Sequence, residues 1–89
     1  MALKINVMRR EEDSVVICAL AGSLDTETHA QFKEKIATYL TPGGAGIILN
    51  LKGLEYISSL GISALLQLDQ DTRAKKIPLS VVEVPAHIQ

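Results

Sequence analysis

The 89-residue sequence predicts one α/β domain, a mixed four-stranded sheet with helices packed on one face, in the order β-β-α-β-α-β. Three observations predict it. Two strand-like segments at the N-terminus are joined by a short charged stretch. Two later segments carry apolar residues three and four apart, the spacing of a helix face. Each of these is followed by a short, almost wholly apolar run.

In the first segment Leu3, Ile5 and Val7 alternate with Lys4, Asn6 and Met8, the period of a half-buried strand. Arg9 to Asp13 is a charged turn. Ser14 to Ala21 is too apolar to alternate, which predicts a strand buried on both faces and ended by Gly22. The short connection makes these two strands an antiparallel hairpin, because parallel neighbours need a longer crossover. Asp25 or Thr26 then caps a helix whose stripe is His29, Phe32, Ile36, Tyr39 and Leu40, and Thr41-Pro42-Gly43-Gly44 stops it. The Gly-Gly pair lacks the Lys-Ser or Lys-Thr of a phosphate cradle, and a strand follows it instead of a helix.

Ile47 to Leu51 reads as the third strand and Leu79 to Val84 as the fourth. Between them a helix from about Ser59 to Lys75 presents Ile62, Leu65, Leu66, Asp69 and Arg73 on one face, broadened by Leu68. Strand, helix, strand in this order makes a right-handed parallel crossover. No linker or internal repeat interrupts residues 1–89.

Composition narrows the function. Nine Lys and Arg against ten Asp and Glu give a net charge of −1, which argues against a nucleic-acid footprint. One cysteine, Cys18, excludes a disulfide framework and suits a reducing compartment, so the cytoplasm is the expected location. The apolar runs Val15 to Ala21 and Ile62 to Leu66 fall short of the roughly 18 to 20 residues that span a bilayer, and no signal-peptide pattern opens the chain.

The chemically suggestive residues are Ser58 and Ser59, at a strand-to-helix turn. Free N–H groups and the helix dipole stabilise an anion there by about 0.3 to 1 kcal/mol. A phosphoserine would sit well, but a serine at this place also serves simply as a cap. Enzyme chemistry is not expected. His29, His87, Asp25 and Asp69 are the available bases and acids, and the nucleophile-elbow pattern fails because Ile57 stands two before Ser59. No metal-ligand spacing or cofactor motif occurs. Phe32, Tyr39 and Tyr56 are expected to be packing residues, Cys18 a buried small hydrophobe, and Lys75-Lys76 a solvated pair at a helix end.

Tyr56-Ile57-Ser58-Ser59-Leu60-Gly61-Ile62, preceded by the strand Ile47 to Leu51 and by Lys52-Gly53-Leu54, resembles the signature of the STAS domain of bacterial anti-sigma-factor antagonists. Gly22-Ser23-Leu24-Asp25 is similar to that family's glycine, any residue, leucine, aspartate segment. The resemblance implies a non-enzymatic partner switch. The unmodified domain binds an anti-sigma factor that is also a serine kinase, phosphorylation of a serine ends the binding, and a serine phosphatase resets it. By position the phosphoacceptor is Ser59, with Ser58 second, and Asp25, Ser58, Ser59, Leu60, Gly61 and Ile62 form the partner surface. Two residues depart from the family pattern: Ser58 and Asn50 both stand where aspartate is common. A STAS-type assembly or scaffold module without phosphorylation is the rival expectation.

Family members carry one more helix after the last strand, whereas this sequence stops at Gln89, with Pro85 suited to a first helical turn. A shortened domain is therefore expected to expose apolar surface and to dimerise or exchange strands.

Overall fold

The computed structural model describes residues 2–88. Its elements are β1 (Leu3–Arg9), β2 (Val16–Leu24), α1 (His29–Ala37), β3 (Ile47–Ile57), α2 (Ser59–Ala74) and β4 (Leu79–Val82). They form one four-stranded sheet in the order β1-β2-β3-β4. β1 and β2 are an antiparallel hairpin, whereas β2 with β3 and β3 with β4 are parallel, so the expected mixed sheet and element order are present.

Two right-handed crossovers that advance in the same direction put α1 and α2 on the same face. Burial follows that geometry. Val16, Cys18 and Leu20 of β2 and Ile47, Leu49 and Leu51 of β3 are buried under the helices, together with Phe32 and Ile36 from α1 and Ala64 and Leu68 from α2. β2 is therefore not buried on both faces as its composition suggested, because Ile17, Ala19 and Ala21 are half-buried on the side the helices leave open.

Both central strands run further than their patterns indicated. The β2–β3 register shifts by one residue between Ala19 and Ala21 and again between Gly22 and Ser23, each time giving β3 an extra residue. Such bulges reset the two-residue alternation. The buried positions of β3 consequently fall at Leu49, Leu51 and Leu54, so the strand continues to Ile57 after its alternation has broken at Leu51. Gly22 does not end β2. It lies inside the strand at φ +99°, where any side chain would collide with the Ala2 carbonyl oxygen. β4, by contrast, stops at Val82 because Glu83 turns to φ 53°.

The phase of α2 also differs from expectation. Its buried face is Gly61, Ala64, Leu68 and Thr72, whereas Ile62 and Leu66 are turned to solvent. Small residues occupy the core side of its first turns because the helix starts in contact with β2. Its far end is closed by paired bonds, from Lys76 N–H to Arg73 O at 3.2 Å and from Ile77 N–H to Thr72 O at 2.8 Å. Lys76 takes the left-handed position that glycine usually fills, at φ 58°. After β4 the chain makes a single turn, closed by Ile88 N–H to Pro85 O at 2.9 Å.

Candidate functional site

β2 and β3 end side by side, with Leu24 paired to Ile57. Each is followed by a turn into a helix, so the segments starting at Asp25 and at Ser58 are neighbours at the carboxyl end of the parallel strands, where α/β sheets place their sites. One atom joins them. The Leu24 carbonyl oxygen accepts the Ser58 N–H at 3.0 Å and lies directly beneath Gly61.

The two serines have different environments. Ser58 is the N-cap of α2, with extended backbone at φ −94° and ψ 175°. Its Oγ accepts the Gly61 N–H at 3.3 Å and its carbonyl accepts the Ile62 N–H at 2.9 Å. Ser59 is the first helical residue and is exposed, and its hydroxyl makes no hydrogen bond among the described residues. It therefore projects freely at the positive end of a sixteen-residue helix.

Asp25 organises the neighbouring turn. Its Oδ1 accepts the N–H groups of Glu27 at 3.0 Å and Thr28 at 3.1 Å. The Thr28 hydroxyl accepts the Asp25 N–H at 2.9 Å and lies 2.8 Å from Ser23 O and 3.1 Å from Asp25 Oδ1, sharing its proton between the two acceptors. Burial works to raise the Asp25 carboxyl, but these hydrogen bonds outweigh it and hold it below the usual carboxylate range. Asp25 thus caps the turn that precedes α1 and stays ionised, while the helix itself begins at His29 behind Thr28. Neither Asp25 nor Thr26 is the helix N-cap.

Around Ser59 the surface is apolar. Leu60, Ile62 and Leu66 are exposed on α2, the last by 60%, and Tyr56 is half exposed on the strand leading in. Exposed apolar residues rimmed by hydroxyls and an acid mark protein contact surfaces. Of the expected partner residues, Asp25, Ser58, Ser59, Leu60 and Ile62 gather at this end. Gly61 is buried and acts from below by letting the helix approach Leu24.

Tyr56, expected to be packing, and Leu66, expected to face the core, both belong to the surface. The break in alternation hid the first, and the phase of α2 hid the second. Ser23 and Thr28 were also missed as the buried supports of Asp25, although the Asp25 to Thr28 spacing is the sequence trace of such a turn.

The Asn50 departure has a local reason. Its Oδ1 accepts the Lys52 N–H at 2.9 Å and its Nδ2 donates to Glu83 Oε2 at 3.0 Å. An aspartate there would set two carboxylates against each other.

Comparison with known proteins agrees with the fold. The profile of the STAS domain matches residues 6–89. A curated relative is BtrV of Bordetella bronchiseptica, named as a candidate anti-sigma factor antagonist. It is 26% identical over 77 residues, covering 86% of this chain and 66% of BtrV, so the chain spans a little under two thirds of that relative. Among solved structures, the anti-sigma factor antagonist SpoIIAA in its unphosphorylated form has the same fold at a TM-score of 0.73 and 24% identity, covering 97% of this chain and 76% of SpoIIAA. The murine anion transporter Slc26a9 contains it too, at a TM-score of 0.75 and 22% identity, over 83% of this chain and 12% of the transporter. With the profile spanning nearly the whole sequence and the strand and helix order matching, the chain belongs to the STAS domain family.

Proposed function

We propose that this domain is an anti-sigma-factor antagonist that acts as a phosphorylation-controlled partner switch, with Ser59 as the phosphoacceptor. In the unphosphorylated state it binds an anti-sigma factor serine kinase, and a serine phosphatase restores that state after modification. The observation that carries the reading is the exposed, unbonded Ser59 hydroxyl at the start of α2, set in an apolar surface beside an ionised Asp25. Ser58 is the poorer acceptor, because its oxygen is half-buried and occupied as the helix cap.

A phosphate brings about −1.5 to −2 charge at pH 7. At Ser59 the helix N-terminus tolerates that charge in the free protein. A partner surface packed against Leu60, Ile62 and Tyr56 does not, since it would have to bury a dianion near a carboxylate. Modification then ends binding without unfolding the domain. The antagonist names carried by BtrV and SpoIIAA support the same role.

The test is tryptic mass spectrometry after incubation with ATP and the anti-sigma kinase of the same regulatory system. Phosphate on Ser59, with Ser59→Asp losing kinase binding and Ser59→Ala retaining it, is the expected result. Phosphate on Ser58 alone would reassign the acceptor. No phosphate would favour a second reading, an assembly module without phosphorylation, which the shared fold of the Slc26a9 transporter supports.

A further inference from the structure

We infer that the face of the sheet opposite the helices is a self-association surface, on which a second copy of this chain packs sheet against sheet. α1 and α2 both lie on the other side, and no helix or strand of the described residues covers this face. The register lays Met8, Ile17 and Ile48 in one row across β1, β2 and β3. Ser80 of β4 ends that row, and the next row is Asn6, Ala19, Asn50 and Val82. Met8 is 62% exposed. Met8, Ile17, Ile48, Ala19 and Val82 thus form an apolar band bordered by Asn6, Asn50 and Ser80, a mixture that a second copy of the same face can match.

Charge selects the partner and its orientation. Lys4, on β1, bounds one edge of this face, and the Glu83 carboxylate, held beside Asn50 just past β4, bounds the opposite edge. A two-fold axis running along the strands lays β1 of one copy over β4 of the other and brings Lys4 to Glu83 twice. An axis across the strands would lay β1 antiparallel on its own copy, with Lys4 over the Met8 and Arg9 end and away from Glu83. The first arrangement is also the aligned sheet packing of a sandwich, with the sheets roughly 10 Å apart. Four strands spaced by roughly 4.8 Å, with roughly 3.3 Å per residue along each, cover on the order of 400 Å² per copy. Twice that lies below the roughly 1,200 Å² of a standard interface, so the dimer is weak and reversible.

Such a dimer leaves both Ser59 surfaces outward, on opposite sides of the pair. It would therefore engage two partner molecules at once.

Sedimentation velocity of the chain from about 10 µM to about 1 mM brackets this affinity. A concentration-dependent rise from monomer to dimer is expected. Lys4→Glu and Glu83→Lys should each weaken it at least about fivefold, since like charges then meet at both edges, and the double variant should restore it. Melting curves would verify that each variant remains folded. A wild-type chain that stays monomeric at about 1 mM overturns the inference and leaves the face to a different protein. A dimer indifferent to the charge exchange, or one lost on Leu66→Ser instead, overturns it as well.

Discussion

Replacing Gly61 by alanine is a sharp test of how α2 is seated. In a helix interior the change is normally favourable by about 1 kcal/mol. Here the new methyl carbon would overlap the Leu24 carbonyl oxygen and stand 2.8 Å from Ile57 Cγ1 and 3.0 Å from the Leu24 carbonyl carbon. Two of the three neighbours are backbone atoms of β2, so no side chain can rotate away to relieve the overlap. The first turn of α2 has to lift instead, stretching the Ser58 N–H to Leu24 O bond from its 3.0 Å. Overpacking of this kind costs about 1 to 3 kcal/mol and the weakened hydrogen bond about 1 kcal/mol more. Set against the propensity gain, the net loss is about 1 to 3 kcal/mol. For a domain of this size each kcal/mol moves Tm by about 4 to 8 °C, so a fall of about 5 to 20 °C is expected in a melt followed by far-UV circular dichroism. Ser63→Ala, at an exposed position of the same helix, should change stability by less than about 0.5 kcal/mol. If Gly61→Ala melts at or above the wild-type temperature, the close approach of α2 to Leu24 is wrong.

Three further outcomes follow from the same structure. Ser58→Ala removes the N-cap acceptor and should cost about 0.5 to 2 kcal/mol, toward the low end because its bond is 3.3 Å long, whereas Ser59→Ala should cost almost nothing; urea titrations that rank the two equally would refute the cap assignment. Lys76→Gly relieves a left-handed residue at the end of α2 and should raise stability by about 1 kcal/mol, visible as a higher midpoint in the same titration. Burial pushes the Cys18 thiol up from 9.0 to about 11. A raised folded pKa means stability that is complete below the unfolded value and lost as pH climbs toward the folded one. The difference in stability between wild type and Cys18→Ala should therefore shrink between about pH 9 and pH 11, and a constant difference across that window would show that the thiol is not shielded.

Element order, hairpin and crossovers were legible in the sequence because each rests on a local pattern. Leu3, Ile5 and Val7 alternate cleanly and form β1. The spacing of Phe32 and Ile36 places the buried stripe of α1. What stayed hidden depends on contacts between distant residues. The ends of β2 and β3 are extended by bulges that only strand pairing produces, so the pattern of the third strand stops at Leu51 although the strand runs to Ile57. The phase of α2 is set by how closely Gly61 and Ala64 approach the sheet, and a hydrophobicity count cannot weigh a glycine and an alanine above Ile62 and Leu66. Asp25, Ser58, Ser59, Leu60 and Ile62 could be picked out by motif, but that they meet at one end follows from the pairing of Leu24 with Ile57. The division of labour between the two serines needed a hydrogen bond to reveal it.

The shared carbonyl of Leu24 makes the two turns a single mechanical body. It anchors the backbone of Ser58 from the side and supports Gly61 from below, and the residue that owns it leads directly into Asp25. A shift in the first turn of α2 therefore drags the end of β2 with it, and through Asp25 Oδ1 the amides of Glu27 and Thr28 at the approach to α1. A substitution that lifts Gly61 off Leu24 should therefore disturb the Asp25 turn as well as the start of α2.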